Sequence, residues 1–133
     1  MERMDYADTI TRYLGGTPSV PALYAAQAGH RIIQDITVPR IREKSIRQTS
    51  LLIRLAQEQG LKINTPLDPA RRGGTVCVDF PGAEAASHEL LRRRFMMDYR
   101  PHCGIRISPH FYTEDAELHA IIDEIKKLRK KAK

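Results

Sequence analysis

The residues predict an α+β fold, a small and mostly antiparallel sheet with helices packed on one face. Three patterns carry that expectation. Residues 75–80 alternate, with Val76, Val78 and Phe80 on one side and Thr75, Cys77 and Asp79 on the other. Residues 104–108 alternate the same way, Ile105 and Ile107 against Arg106 and Ser108. The period then changes to that of a helix, in the stripe Leu118, Ile121, Ile122, Ile125 and Leu128.

Residues 1–14 read as a lead-in that ends at Gly15-Gly16. From about Ser19 to Ile36 the small residues Ala22, Ala25, Ala26 and Gly29, with Ile33 and Ile36, recur at helical spacing. Such a stripe permits close approach, so this helix is expected to pack hard against another element. Thr37 is a plausible N-cap for a second helix, and Pro39 is tolerated in a first turn. That helix places Val38, Ile41, Ser45, Thr49, Leu52, Ile53 and Ala56 on one side, and Gly60 stands where a left-handed stop belongs. Leu61 to Asn64 is a short alternating piece, and a Pro/Arg/Gly loop covers Asp68 to Gly74. The 75–80 strand ends at Pro81-Gly82. A helix follows over Ala83–Arg94, with Ala83, Ala86, Leu90 and Leu91 inward. Phe95 to Arg100 is a strand closed by Pro101. Thr113 caps the last helix, whose first turn carries Glu114, Asp115 and Glu117 on the side the helix dipole favours. The predicted order is α-α-β-β-α-β-β-α.

The 133 residues are enough for one core, and 41% hydrophobic with 29% charged residues is an ordinary globular balance. The net charge of +6 is local. Lys126, Lys127, Arg129, Lys130, Lys131 and Lys133 end the chain with no acid among them. Setting those six apart from the 22 basic residues leaves 16 against 16 acidic ones, so residues 1–125 are neutral. A solvated helix end explains the run better than a nucleic-acid surface, for which the basic residues would spread over one face. No apolar run approaches the roughly 20 residues of a membrane span. Met-Glu-Arg-Met-Asp opens the chain without a signal-peptide core, and Cys77 and Cys103 read as free thiols, so the expected compartment is the cytoplasm. The expectation is therefore no nucleic acid, no membrane and no metal.

Two local features bear on binding. Gly15-Gly16-Thr17-Pro18 leads into a helix N-terminus, which offers unpaired N–H groups to an anion, though from the motif alone a glycine turn with an ordinary cap is the better explanation. Arg106 sits mid-strand and points opposite its apolar neighbours. It is either exposed on an uncovered sheet face or aimed at a carboxylate, which its planar fork fits. The histidines His30, His88, His102, His110 and His119 are scattered.

Five blocks resemble the small domain of kynureninases and other class V aminotransferase-like proteins. They are Tyr13-Leu-Gly-Gly-Thr-Pro-Ser-Val-Pro-Ala-Leu-Tyr-Ala-Ala26, Ile41-Arg-Glu-Lys-Ser-Ile-Arg-Gln-Thr-Ser-Leu-Leu52, Arg72-Gly-Gly-Thr-Val-Cys-Val-Asp79, Asp98-Tyr-Arg-Pro101 and Gly104-Ile-Arg-Ile-Ser-Pro-His-Phe-Tyr112. They stand in the family's order between about Tyr13 and Leu128. Thr113 departs from similar sequences, which often have Asn there.

The resemblance implies the small domain of the aspartate-aminotransferase-type fold over residues 15–133, with 1–14 leading in from a large domain. It implies a homodimeric pyridoxal-phosphate enzyme acting on an amino acid, by transamination or by kynureninase-type hydrolysis. By the resemblance Thr17 contacts the cofactor phosphate and Arg106 binds the substrate's α-carboxylate. The Schiff-base lysine and the groups around the pyridine ring belong upstream, so this chain alone is expected to be inactive and to contribute no catalytic residue of its own. The competing expectation is a small-domain-like binding module without catalysis.

Overall fold

The computed structural model describes residues 5–131. The first four residues of the lead-in, the side chain of Lys131 and the last two residues, with Lys133 of the basic run, lie outside them. The chain forms two compact units, one through Val38 and one from Pro39 onward.

In the first unit a 3-10 turn, Ile10–Tyr13, precedes helix α1, Val20–Ile36. Pro21 in its first turn lacks an N–H that the helix would leave unpaired anyway. No residue of α1 is buried, and Val20, Leu23, Tyr24 and Ile32 are exposed. The small-residue stripe therefore meets no second layer within its own unit. Thr37 does not cap the next helix as expected. It ends α1 instead, with φ 73° and its N–H still bonded to the Ile33 carbonyl at 2.9 Å. An N-cap needs an extended backbone, and this residue has left that region.

The second unit carries a four-stranded sheet, wholly antiparallel, in the order β1-β2-β4-β3. Its strands are β1 (Lys62–Ile63), β2 (Val76–Asp79), β3 (Asp98–Arg100) and β4 (Gly104–Ile107). Helices α2 (Val38–Glu58), α3 (Ala83–Arg92) and α4 (Asp115–Lys131) supply the apolar side chains that cover one sheet face. Period-two alternation puts Val76, Val78, Ile105 and Ile107 into the core, where they join Leu52, Leu90, Ile121 and Ile125. The expected α+β layer with helices on one face is the fold.

Three expectations about helices need correction. Leu91 is 44% exposed, because the inward stripe of α3 is Ala83, Ala86, Ser87 and Leu90, and Leu91 lies one step further round. Thr113 does not cap α4. Its hydroxyl accepts the His110 N–H at 2.9 Å, and the Glu117 carboxylate reaches back to the Glu114 N–H at 2.7 Å, as in a capping box. The start of α4 therefore falls two residues after Thr113. Finally, α3 stops at Arg92 rather than Arg94.

Both interior helix ends close in the same way. After α2, the Leu61 N–H donates to the Ala56 carbonyl and the Gly60 N–H to that of Gln57, with Gly60 at φ 64°. This is a Schellman closure, and it turns Leu61 into the core beside Ala56. After α3, Phe95 donates to Leu90 and Arg94 to Leu91, the same pattern, but the left-handed position is Arg94 at φ 66°. An L-residue there costs about 1–2 kcal/mol relative to the right-handed region.

Polar bonds fasten α2 to the loops beside the sheet. The side chain of Gln48, 1% exposed, donates to the Thr113 carbonyl at 2.8 Å and to Asp115 at 3.0 Å. Lys44 donates to the Phe111 carbonyl at 2.7 Å. On the other loop, buried Arg72 donates to Thr49, Ser50 and the Leu67 carbonyl, while Arg42 donates to the carbonyls of Pro69 and Arg72.

Arg94→Gly should stabilise the chain. Removing the left-handed penalty outweighs the extra entropy of a glycine in the unfolded state, for a net gain of about 0.5–1 kcal/mol. Thermal unfolding followed by circular dichroism should show a midpoint a few degrees higher. An unchanged or lower midpoint would mean that the Arg94 side chain contributes more than its backbone costs.

Candidate functional site on the open face of the sheet

Alternation sends every second strand residue to the face without helices. In β2 these are Cys77 and Asp79, and in β4 the residue is Arg106. Register then decides their neighbours. Cys77 is the Cα partner of Arg106, and Arg106 is the partner of Asp98, so the three form one row across β2, β4 and β3. Side chains directly opposite on one face lie close enough to interact.

Arg106 and Asp98 do so through two bonds. The Arg106 Nε–H donates to Asp98 Oδ1 at 2.7 Å and Nη2 donates to Oδ2 at 2.5 Å. Arg100 also reaches this carboxylate, with Nε 3.1 Å from Oδ2. The donated hydrogen bond from Arg106 is the main reason the Asp98 carboxyl sits below the usual carboxylate range, and it raises the arginine in turn. Both side chains are about 40% exposed, at 39% for Arg106 and 41% for Asp98. In that setting the pair orients groups more than it stabilises the fold.

The rest of the face is polar and paired. The Thr75 and Ser108 hydroxyls lie 2.9 Å apart. Asn64 donates its backbone N–H to the Cys77 carbonyl and its side-chain amide to the Cys103 carbonyl. Burial pushes the Cys77 thiol up, and the neighbouring Cys103 thiol adds to that. Cys77 therefore stands beside Arg106 as a neutral thiol. Asp79 lies opposite Lys62 in the β1–β2 register.

Arg106 thus lies on the open face of the second unit. Thr17 lies in the first unit, in the bend before α1. It is exposed, and its hydroxyl has no hydrogen-bond partner among the described residues. An added Cβ at Gly15 or Gly16 would meet nothing within 4 Å. The residue that sequence reasoning missed is Asp98. Its signal was present, since folding residues 98–106 into a hairpin around Pro101–Cys103 puts Asp98 opposite Arg106.

The family described as Kynureninase C-terminal domain matches residues 41–125. Kynureninase of Deinococcus radiodurans is 33% identical over 93 residues, which cover 67% of this chain and 23% of that protein. A protein of Bacillus subtilis described as an uncharacterized aminotransferase is 29% identical over 120 residues, covering 90% of this chain and 32% of its own length. The chain therefore spans a third or less of these relatives. In structure it is similar to a cysteine desulfurase from Thermococcus onnurineus NA1, with a TM-score of 0.79 and 19% identity over 94% of this chain and 36% of the other. That likeness establishes the fold. Among the described residues no helix is long and apolar enough to cross a membrane.

A carboxylate whose folded value is depressed stabilises the protein above its unfolded pKa, near 3.9, and that contribution is lost as pH falls through the folded value. Carboxyl-carbon NMR should accordingly find Asp98 titrating below an ordinary aspartate. In Arg106→Ala the midpoint should return upward. An ordinary midpoint in the unaltered chain would show that the pair does not form in solution.

Proposed function

The chain belongs to the kynureninase C-terminal domain family, and on that premise we propose that it is the small domain of a class V pyridoxal-phosphate enzyme acting on an amino acid. In this reading residues 15–133 form the small domain and 1–14 lead in from a large domain, which carries the lysine that holds the cofactor. Arg106 receives the substrate's α-carboxylate. The observation that carries the reading is the geometry of Arg106, a guanidinium held on the open sheet face by two bonds to Asp98 with donors to spare. Five N–H donors in a planar fork match a carboxylate in a way an ammonium does not.

Thr17 is the residue proposed to contact the cofactor phosphate. Its exposed, unengaged hydroxyl and the open space at Gly15 and Gly16 fit a phosphate ester. By the family resemblance that phosphate belongs to a neighbouring subunit, so the working enzyme is a homodimer. When bound, the cofactor supplies an electron sink for bonds at the amino acid's Cα. This chain's part is to bind and orient. Arg106 fixes the carboxylate end of the substrate, which sets the direction of the bonds at Cα. The residues that separate transamination from hydrolytic cleavage belong to the large domain.

The lysines described here have other surroundings. Lys44 is engaged by the Phe111 carbonyl, and Lys126, Lys127 and Lys130 lie exposed on α4. A lysine that forms a covalent bond to a carbonyl needs a desolvated site that lowers its pKa.

Two outcomes test this function. In the enzyme containing both domains, Arg106→Ala should lower kcat/KM for the amino acid about tenfold to a hundredfold, and Arg106→Lys should recover only part. An unchanged kcat/KM would remove Arg106 from the substrate site. Separately, the 133-residue chain mixed with pyridoxal phosphate and borohydride should retain no stoichiometric adduct by mass spectrometry. A single trapped lysine would place the catalytic group in this domain.

A further inference from the structure

A guanidinium has two edges able to hold a carboxylate side by side, one formed by Nε and Nη2 and one by Nη1 and Nη2. Asp98 takes the first edge of Arg106 through both of its oxygens. Among the described residues nothing accepts from Nη1. We propose that Asp98 is the positioning residue of the carboxylate receptor: it clamps the Nε edge of Arg106 so that the Nη1–Nη2 edge stays free for the substrate's carboxylate. The inference rests on the reading of Arg106 given above and deepens it, because it says which edge the substrate uses and what holds that edge in place.

Three features support the assignment. First, the clamp comes from the adjacent strand in direct register, so backbone pairing sets it rather than the wandering of a long side chain. Secondly, Asp98 is itself braced by Arg100, 3.1 Å from Oδ2, which keeps the carboxylate from turning. Thirdly, the charges leave room for one more anion. Arg106, Arg100 and Lys62 are cations on the strands of this face, and Asp98 and Asp79 are its carboxylates. One positive charge remains, and a single substrate carboxylate neutralises it. Cys77, the other neighbour of Arg106 in the row, is a neutral thiol and brings no competing anion.

An alternative role is that Asp98 merely occupies the receptor until a substrate displaces it. The two roles differ in what happens at Nε when a carboxylate binds. The experiment is NMR on the isotope-labelled 133-residue chain, following the Arg106 guanidinium with acetate as the probe and equal chloride as the control. In the unaltered chain the Arg106 Nε–H should exchange with water slowly, and acetate should shift its Nη signals while Nε–H and the Asp98 carboxyl stay where they were. Asp98→Asn keeps the size but loses the charge and one acceptor, and it should speed the Nε–H exchange about tenfold with the sheet amides unchanged. If acetate instead moves Nε–H to the position of free arginines, Asp98 is a displaced competitor: the positioning role is overturned and Arg106 remains the receptor. If acetate moves no Arg106 signal while the Nε–H stays protected, the carboxylate reading of Arg106 fails, and the proposal with it. Unchanged exchange in Asp98→Asn also overturns the clamp. The acetate titration needs no variant, so it decides the matter even if Asp98→Asn disturbs the hairpin.

Discussion

Both the sheet and the candidate site depend on the absence of a side chain at Gly104. Its φ is 94°, a region L-residues rarely adopt, and a Cβ there would stand 2.3 Å from the Val78 carbonyl oxygen. No neighbouring side chain can move aside, because the obstacle is backbone. Gly104 lets β4 begin immediately after the tight turn through His102, itself at φ 64°, while lying flush against β2. That start sets the pairing of Arg100 with Gly104, and two residues on, of Asp98 with Arg106. A one-residue slip would send Arg106 into the helical layer and Ile105 to the open face. The core and the arginine are therefore specified by the same constraint.

The two faces of the sheet divide the labour. One face is apolar and covered by α2, α3 and α4, so burial of Val76, Val78, Ile105 and Ile107 holds the strands in place. The other face has the hydroxyls, thiols and charged groups, and it is free to meet a ligand or another domain. Rigid strands are good supports for a binding group, because a side chain on a paired strand is fixed in direction by the backbone. Arg106 gains a further restraint from Asp98. Helix α2 stabilises both edges of this arrangement, since Gln48 and Lys44 hold the loop that follows β4 while Arg42, Thr49 and Ser50 hold the loop that precedes β2.

In the role proposed for it, this domain contributes specificity rather than chemistry. Family membership covers residues 41–125, all of them in the second unit, while the resemblance at Thr17 lies in the first. The apolar residues Leu23, Tyr24 and Ile32 of α1 are exposed. The residue proposed to bind substrate and the residue proposed to contact the cofactor thus come from separate parts of the chain.

Periodicity alone determined the α+β class, the order of elements and the faces of β2, β4 and α4, because burial of one face imposes a repeat that can be read residue by residue. It also determined the stop at Gly60, where the backbone needs a residue without a Cβ. Other features were decided only in three dimensions. Arg94 ends α3 in a conformation usually left to glycine, because Phe95 behind it packs against the core. Leu91 turned outward and Gln48 inward, since the width of a buried stripe depends on what lies across from it, and Gln48 finds its acceptors 65 and 67 residues away. Thr37 and Thr113 have the residue type of helix caps but not the backbone or the partner. The partner of Arg106 depended on strand register, which is a relation between two segments and not a property of either one.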